Sequence, residues 1–337
     1  MAVRAKEIAQ KLNISPATVS LVLRNKPGIS DITRQRVLEA AAEMGYQREP
    51  NTAASHRHIH FIYYKKHGHV VGDTEFFSQL TQSVDAQAKK LGYELIMTYF
   101  YESQSIYEQL HSLEQDNCVG ILLLATEMHL SDLLHFKKLS IPIVILDSYF
   151  PDEDYDCILI NNLYGAKHAV QYLIQNGHTE IGHLASSVVI RNFRERQDGY
   201  NRGIKTISVL NNSRSHAVQV IPTADGAYAD MMAYLRKMPA LPTAYFADND
   251  IIAMACIKAL RSVGYRVPED ISVIGFDGIL AGEMMSPGLT TMNVPKNQLG
   301  ISAVSQLDSR IRGNCSGTVK IEVSTCLVER GTVSKLG

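Results

Sequence analysis

Several things this sequence lacks narrow what it can be. No segment approaches the ~18 consecutive apolar residues that cross a bilayer. A mean hydropathy of −0.07 with 45% apolar residues describes a globular chain with a sizeable core. The five cysteines, Cys118, Cys157, Cys256, Cys315 and Cys326, are odd in number, scattered and free of Cys-x-x-Cys spacing. They offer neither a disulfide framework nor a zinc site and read as reduced, mostly buried side chains. No phosphate-cradling glycine loop, dinucleotide fingerprint or nucleophile elbow occurs, so no cofactor is expected. Asp147 and Asp277 have the residue type of an acid/base pair, but nothing supplies a nucleophile or a metal, and an enzyme is not expected. The chain begins on a charged amphipathic segment where an export signal would be apolar, so the expected location is cytoplasmic, with no membrane partner.

Net charge is nearly absent as well, −1 from 33 basic and 34 acidic residues, but it is unevenly spread. Residues 1–57 hold nine basic and five acidic side chains, a local +4 that leaves −5 for the remainder. A basic head on a mildly acidic body is the electrostatic footprint of a polyanion partner. Inside that head, Arg4 to Leu12 is a short amphipathic helix with Ile8, Ala9 and Leu12 inward. Asn13, which tolerates the left-handed conformation, marks a tight corner. A second helix starts on a Ser15-Pro16 cap, with Val19, Val22 and Leu23 on one face. Pro16, Ala17, Thr18, Ser20, Leu21 and Arg24 are left for another surface. A third helix runs from a Ser30 cap to a Gly45 stop, with Val37, Leu38, Ala41 and Met44 as its stripe. Two short helices joined by a corner, backed by a third, describe a helix-turn-helix, and double-stranded DNA is the expected partner.

At 337 residues the chain suits two or three domains. Residues 47–57 carry no apolar stripe and read as a linker. Beyond them short apolar strands alternate with amphipathic helices: strand His58–Tyr64, helix Phe76–Leu91, strand Glu94–Phe100, and so on to strand Ile271–Phe276. Val119–Leu124 is a continuous apolar run of the kind buried on both faces of a parallel sheet. Stacked βαβ units follow from this pattern, and the length allows two doubly wound sheets. Ligands of such sheets bind at the carboxyl ends of strands. Asp147, Asp248, Asn249 and Asp277 stand at those positions, and Arg196 lies early in the helix after strand Ile181–Ala185. Together they form a donor and acceptor array suited to a polar small molecule, although Asp248 and Asp277 would equally cap helices. Phe76 is either an aromatic platform for a ligand or core.

Several segments resemble the lactose-repressor/galactose-repressor (LacI/GalR) family of bacterial transcriptional regulators. They are Ala5-Lys-Glu-Ile-Ala-Gln-Lys-Leu-Asn-Ile-Ser-Pro-Ala-Thr-Val-Ser20, Thr33-Arg-Gln-Arg-Val-Leu-Glu-Ala-Ala-Ala-Glu-Met-Gly-Tyr46 and Ile141-Pro-Ile-Val-Ile-Leu-Asp147. Arg196-Gln-Asp-Gly-Tyr200, Asp248-Asn-Asp250 and Val267-Pro-Glu-Asp-Ile-Ser-Val-Ile-Gly-Phe-Asp277 continue the likeness in the family's order. The resemblance implies a three-helix helix-turn-helix head over residues 1–46 and a hinge at 47–57. An effector-binding and dimerisation domain would occupy 58–337. That domain would be a periplasmic-binding-protein-like α/β core of two doubly wound parallel-sheet subdomains, 58–160 with 292–318 and 161–291 with 319–331. The implied protein is a homodimer, most simply a repressor, whose operator affinity is set by a small molecule in the cleft. A sugar fits the mixed cleft best; a purine or sugar phosphate, or a role as a solute-binding protein, is the alternative. The family's effector positions fall on Phe76, Asp147, Arg196, Asn249 and Asp277. Its base-reading positions fall on Pro16, Ala17 and Leu21. Its phosphate contacts fall on Thr18, Ser20, Ser30, Thr33 and Tyr46, with Ser15 and Arg24 on the same surface.

Two positions depart from the family. Leu21 stands where many members carry arginine, so it reads thymine methyls or shape and not guanine. Residues 51–60 contain no leucine to wedge into a minor groove, which sets the usual operator kink aside. His56, His58 and His60 alternate and would share one face of a strand, with His67 and His69 nearby. They read as a polar strand edge, a metal site being the alternative; no metal is expected.

Overall fold

The computed structural model describes residues 5–23, 29–44, 57–72, 74–116, 118–208 and 216–336. The chain forms two compact units that divide between Ser55 and His56.

The first unit contains helices α1 (Ala5–Leu12), α2 (Pro16–Leu23) and α3 (Asp31–Glu43). Ile8, Ala9, Val19, Val22, Val37, Ala40 and Ala41 close its small core, with Leu12, Ile14, Ile29 and Met44 packed against them. The corner between α1 and α2 is made by Asn13 at φ +50°, after which the Ile14 N–H returns to the Ala9 carbonyl. Both caps form as the sequence suggests. Ser15 Oγ accepts from the Thr18 N–H at 3.0 Å and Ser30 Oγ from the Thr33 N–H at 3.3 Å. One inward position is corrected: Leu38 is 50% exposed and Ala40 takes its place in the core. From Val37 the buried stripe advances by three and four residues, and Leu38 lies one residue, ~100°, off it.

The second unit begins β1 (Arg57–Lys65), α4 (Glu75–Lys90), β2 (Tyr93–Tyr101), α5 (Ile106–Gln115), β3 (Gly120–Leu124), α6 (Leu130–Leu133), β4 (Ile143–Leu146) and β5 (Asp156–Ile160). It continues with α7 (Asn162–Gln175), β6 (Ile181–Ser186), α8 (Arg191–Ser208), β7 (Ala217–Val220), α9 (Ala224–Leu235), β8 (Ala244–Ala247), α10 (Asp250–Ser262) and β9 (Ser272–Asp277). It ends with α11 (Leu280–Glu283), β10 (Thr290–Asn293), α12 (Lys296–Ile311), β11 (Lys320–Val323) and β12 (Cys326–Val328).

Two six-stranded sheets result, ordered β11-β5-β4-β3-β1-β2 and β12-β10-β9-β8-β6-β7. All described pairings are parallel except β10 with β12. Helices cover both faces, which explains why β3, β4, β5 and β8 are buried throughout and, apart from Asp156 at the start of β5, carry unbroken apolar runs. In β1, Ile59, Phe61 and Tyr63 pack beneath α4 and α12, while Ile62 and Tyr64 point to the α5 side.

The chain passes between the sheets three times: after β5, after β10 and after β11. Helix α12 returns to the first sheet, where Ser83 Oγ bonds the Asn297 carbonyl at 2.7 Å and Tyr93 the Asp308 carboxylate at 2.7 Å. The third passage lies beyond the expected residue 318. Lys320 to Val323 pair in register with Cys157 to Ile160, so the chain stays with the first sheet until Val323. The alternation that would announce β11 is missing because Lys320, Ile321 and Glu322 are all exposed at the sheet edge.

Candidate functional site

A cavity of about 500 Å3 lies between the carboxyl ends of the two sheets, and Phe76, Asp147, Arg196, Asn249 and Asp277 all line it. Each is placed by an element end. Asp147 follows β4 with φ +65°, and Asp277 closes β9 with φ +113°. Both turn out of the strand direction, in conformations that non-glycine residues rarely adopt. Asn249 is the N-cap of α10, its side-chain oxygen accepting from the Ile252 N–H at 2.9 Å. Phe76 opens α4 and is nearly buried, its ring edge-on to Phe77 and 5.4 Å from Lys296 Nζ.

Arg196 is the centre of the array. It sits in α8, which approaches α7 closely at Gly199; a Cβ there would lie 2.4 Å from the Leu163 carbonyl oxygen, so any larger residue would force the two helices apart. Its Nε donates to Asn162 Oδ1 at 2.9 Å and its Nη1 to the Asp248 carbonyl. Nη2 lies 3.2 Å from Asp277 Oδ1, and the guanidinium carbon sits 3.8 Å above the Phe276 ring. Only 3% of the residue is exposed. The Asp248 side chain looks the other way, accepting from the Ser186 N–H and bonding His183 Nε2, both at 2.7 Å. It supports the site from behind.

Two buried carboxylates, Asp147 and Asp250, and the half-buried Asp277 surround one arginine and one lysine. Burial pushes Asp147 up to about 6, although Thr126, Arg196 and Asn192 act to lower it. Thr126 Oγ1 donates to one Asp147 oxygen at 2.6 Å and Asn192 Nδ2 to the other at 2.9 Å. Burial and the neighbouring Asp277 push Asp250 up to about 7. Asp277 is likewise raised by burial, against the pull of Arg196 and Lys296. Lys296 is lowered by burial, and its ammonium is used on the carbonyls of Asp277, Gly278 and Val294. Arg196 and Lys296 are thus committed within the protein, Asp250 is used on Thr291 and the Ile279 N–H, and Asp147, Asp225, Asp277 and Lys258 line the cavity. Such a lining, richer in carboxylates than in cations, welcomes hydroxyl and N–H donors.

Sequence reasoning did not reach Thr126, Asn192, Asp250, Lys296 or Glu127. Glu127, 1% exposed, accepts five backbone N–H groups, from Lys66, His67, Gly68, Val70 and Val71, at 2.8 to 3.1 Å. Burial opposes its charge, yet those donors hold its carboxyl below the ordinary range. It shapes the segment that carries cavity residues Gly68, His69 and Val70. Glu75 joins the two sheets' helices by accepting from the Leu280 and Ala281 N–H groups at 2.8 and 3.1 Å. A larger opening of about 840 Å3 adjoins the cavity through Thr126, Ile160 and Ile190 and is walled by Arg191, Arg194 and Glu195.

In the first unit, Ser15, Pro16 and Leu21 are exposed and Thr18 half-buried, while Ser30 is exposed and Thr33 half-buried. Pro16, Thr18 and Leu21 are carried on α2, and Ser15 and Ser30 are already engaged as caps. Ala17 and Ser20 belong to α2, though their side chains, with Arg24, Tyr46 and linker residues 47–56, lie outside the described residues. Among the described residues no helix is long and apolar enough to cross a membrane.

Residues 5–49 match the family model described as bacterial regulatory proteins, lacI family, and residues 170–333 that of a periplasmic binding protein-like domain. The chain is 30% identical over 335 residues to the HTH-type transcriptional repressor PurR of Mannheimia succiniciproducens, covering 98% of each. It is also 30% identical to the ribose operon repressor of Escherichia coli K12, over 97% of this chain and 98% of that one. A solved transcriptional regulator CelR–cellobiose complex is similar with a TM-score of 0.72 and 25% identity, over 98% of this chain and 99% of the other.

Proposed function

The chain belongs to the lacI family of bacterial regulatory proteins, and from that premise we propose a transcriptional repressor controlled by a neutral sugar bound between the two sheets. The observation that carries the effector half is the gathering of Phe76, Asp147, Arg196, Asn249 and Asp277 around one cavity of about 500 Å3. Its volume is in the range of small-molecule sites. Carboxylates with unused lone pairs accept sugar hydroxyls, and Phe76 offers a face for the apolar side of the ring. A sugar phosphate is disfavoured because Arg196 is already spent on protein acceptors and the lining carboxylates Asp147, Asp225 and Asp277 outnumber the lining lysine, Lys258. The cavity binds and does not turn over its ligand. The protein acts in the cytoplasm as a homodimer, whose two heads place Pro16, Ala17 and Leu21 of α2 in successive major grooves. Relatives named for ribose control and for cellobiose binding support a sugar; the one named PurR keeps a purine as the competing ligand.

The test takes a duplex selected by the full chain from a random-sequence pool. Its affinity is measured while pentoses, hexoses, disaccharides, sugar phosphates and nucleobases are added at millimolar concentration. A neutral sugar is expected to change operator affinity by about 5- to 150-fold, the usual range of allosteric coupling. A nucleobase or phosphate ester acting instead would overturn the sugar assignment, and selection of no duplex would overturn the regulator reading.

A further inference from the structure

Beyond the cavity, one cluster of ligating side chains has no part in effector or DNA binding. His58 and His60 continue the row of β1 side chains that includes Ile62 and Tyr64, at the end where the apolar core under α5 gives way. Asp116, the C-cap of α5, reaches over the same spot. One ring nitrogen of each histidine and an Asp116 oxygen all lie within 4.8 Å of one another. His60 Nε2 is 2.7 Å and His58 Nε2 3.3 Å from Asp116 Oδ2. We propose that His58, His60 and Asp116 bind a single divalent transition-metal ion, with Zn2+ the best match.

Three features separate this cluster from an ordinary polar strand edge. First, His58 Nε2 is buried and meets Asp116 Oδ2 at 3.3 Å without good hydrogen-bond alignment, a position that a cation between the two would fill. Second, His60 Nδ1 is held 2.6 Å from Thr98 Oγ1 on β2. That is the outer partner a metal-bound imidazole uses to fix its orientation while the other nitrogen ligates. With the ion present, Nδ1–H donates to the Thr98 hydroxyl and Nε2 turns its lone pair inward. Third, two neutral imidazoles and one carboxylate give the site a single negative charge, a donor set for Zn2+ with an open fourth position. Zinc bonds of about 2.0–2.1 Å in a tetrahedron put ligand atoms about 3.3 Å apart. His58 and Asp116 already have that separation. His60 and Asp116 must part by about 0.6 Å, which the 43%-exposed Asp116 side chain can do by rotating.

The experiment uses the full chain stripped with a chelator, titrated with Zn2+ against a chromophoric chelator of known affinity, and separately with Co2+. One ion per chain is expected, with Co2+ giving the visible bands of a nitrogen/oxygen site and no thiolate charge transfer, which excludes Cys118. His58→Ala and Asp116→Asn are each expected to weaken Zn2+ binding by about 100-fold or more, and Thr98→Val by about 10-fold. Asp116→Asn alters an exposed carboxylate, and circular dichroism of each variant confirms folding. The assignment is overturned if the wild-type chain binds no Zn2+, or if folded Asp116→Asn and His58→Ala bind it as tightly as wild type. The latter result would place the ion among the other histidines of the twelve in the chain.

Discussion

Replacing Arg196 by alanine tests the effector site and its energetics together. The side chain makes three polar interactions, with Asn162, the Asp248 carbonyl and Asp277, and stacks on Phe276 while 3% exposed. Its removal leaves the Asp277 carboxylate, 16% exposed, with Lys296 as its cationic neighbour and strands the Asn162 oxygen. Taking one partner from a buried ion pair costs about 3–5 kcal/mol, because the surviving charge is left uncompensated. With an unfolding entropy of about 2.1 cal/mol/K per residue, the second unit should lose about 5–8 °C in Tm. Arg196→Ala should therefore abolish the sugar response and destabilise the effector-binding unit. Operator binding should survive below the transition, because the head has its own core. Adding Asp277→Asn removes the orphaned charge, so the double variant should recover part of the lost stability without recovering the response. Calorimetry gives the stability and DNA titration with sugar gives the response. An Arg196→Ala protein that unfolds within about 1 °C of wild type and still responds would refute both the pairing and the site.

Three further outcomes are expected. Glu127→Ala strands five backbone donors and should cost about 3–5 kcal/mol, read as lost hydrogen-exchange protection across residues 66–71; unchanged protection there would show that the carboxylate does not organise the segment. Ser15→Ala removes the α2 cap and should cost the head about 0.5–2 kcal/mol, with faster exchange at the Thr18 amide as the sign and an unaffected rate as the contrary result. The third concerns Asp147, whose folded value of about 6 lies above the ordinary carboxyl. A raised carboxyl opposes folding when ionised, so its penalty is present above about pH 6 and is relieved as pH falls toward about 4. The Tm of the ligand-free wild type minus that of Asp147→Asn should accordingly rise on acidification through that window, and parallel profiles would contradict the burial argument.

Much was legible in the sequence because local physics decides it. A Ser-Pro cap, an asparagine corner and apolar residues at helical spacing determine α1 to α3 with little help from distant residues. Leu38 shows the limit, since an apolar residue one step off the stripe is exposed whatever its type. Unbroken runs such as Gly120–Leu124 announce strands buried on both faces, and the rule that ligands sit past strand ends points to Asp147, Asp248, Asn249 and Asp277, of which Asp248 turns its side chain away from the cavity. What a strand end cannot announce is company. Thr126 and Asn192 meet Asp147 from sequence separations of 21 and 45 residues, and Asp156 holds Arg310 across 154. The course of β11, exposed at a sheet edge, leaves no alternation to read. The meeting of His58 and His60 with Asp116, 56 positions beyond His60, depends on the fold bringing the end of α5 beside β1. Sequence by itself determined the elements, the polarity of the head and the rows of residues at strand ends. Only the tertiary structure decided which charges are buried together, because burial and pairing are set by contacts between segments that the chain order keeps far apart.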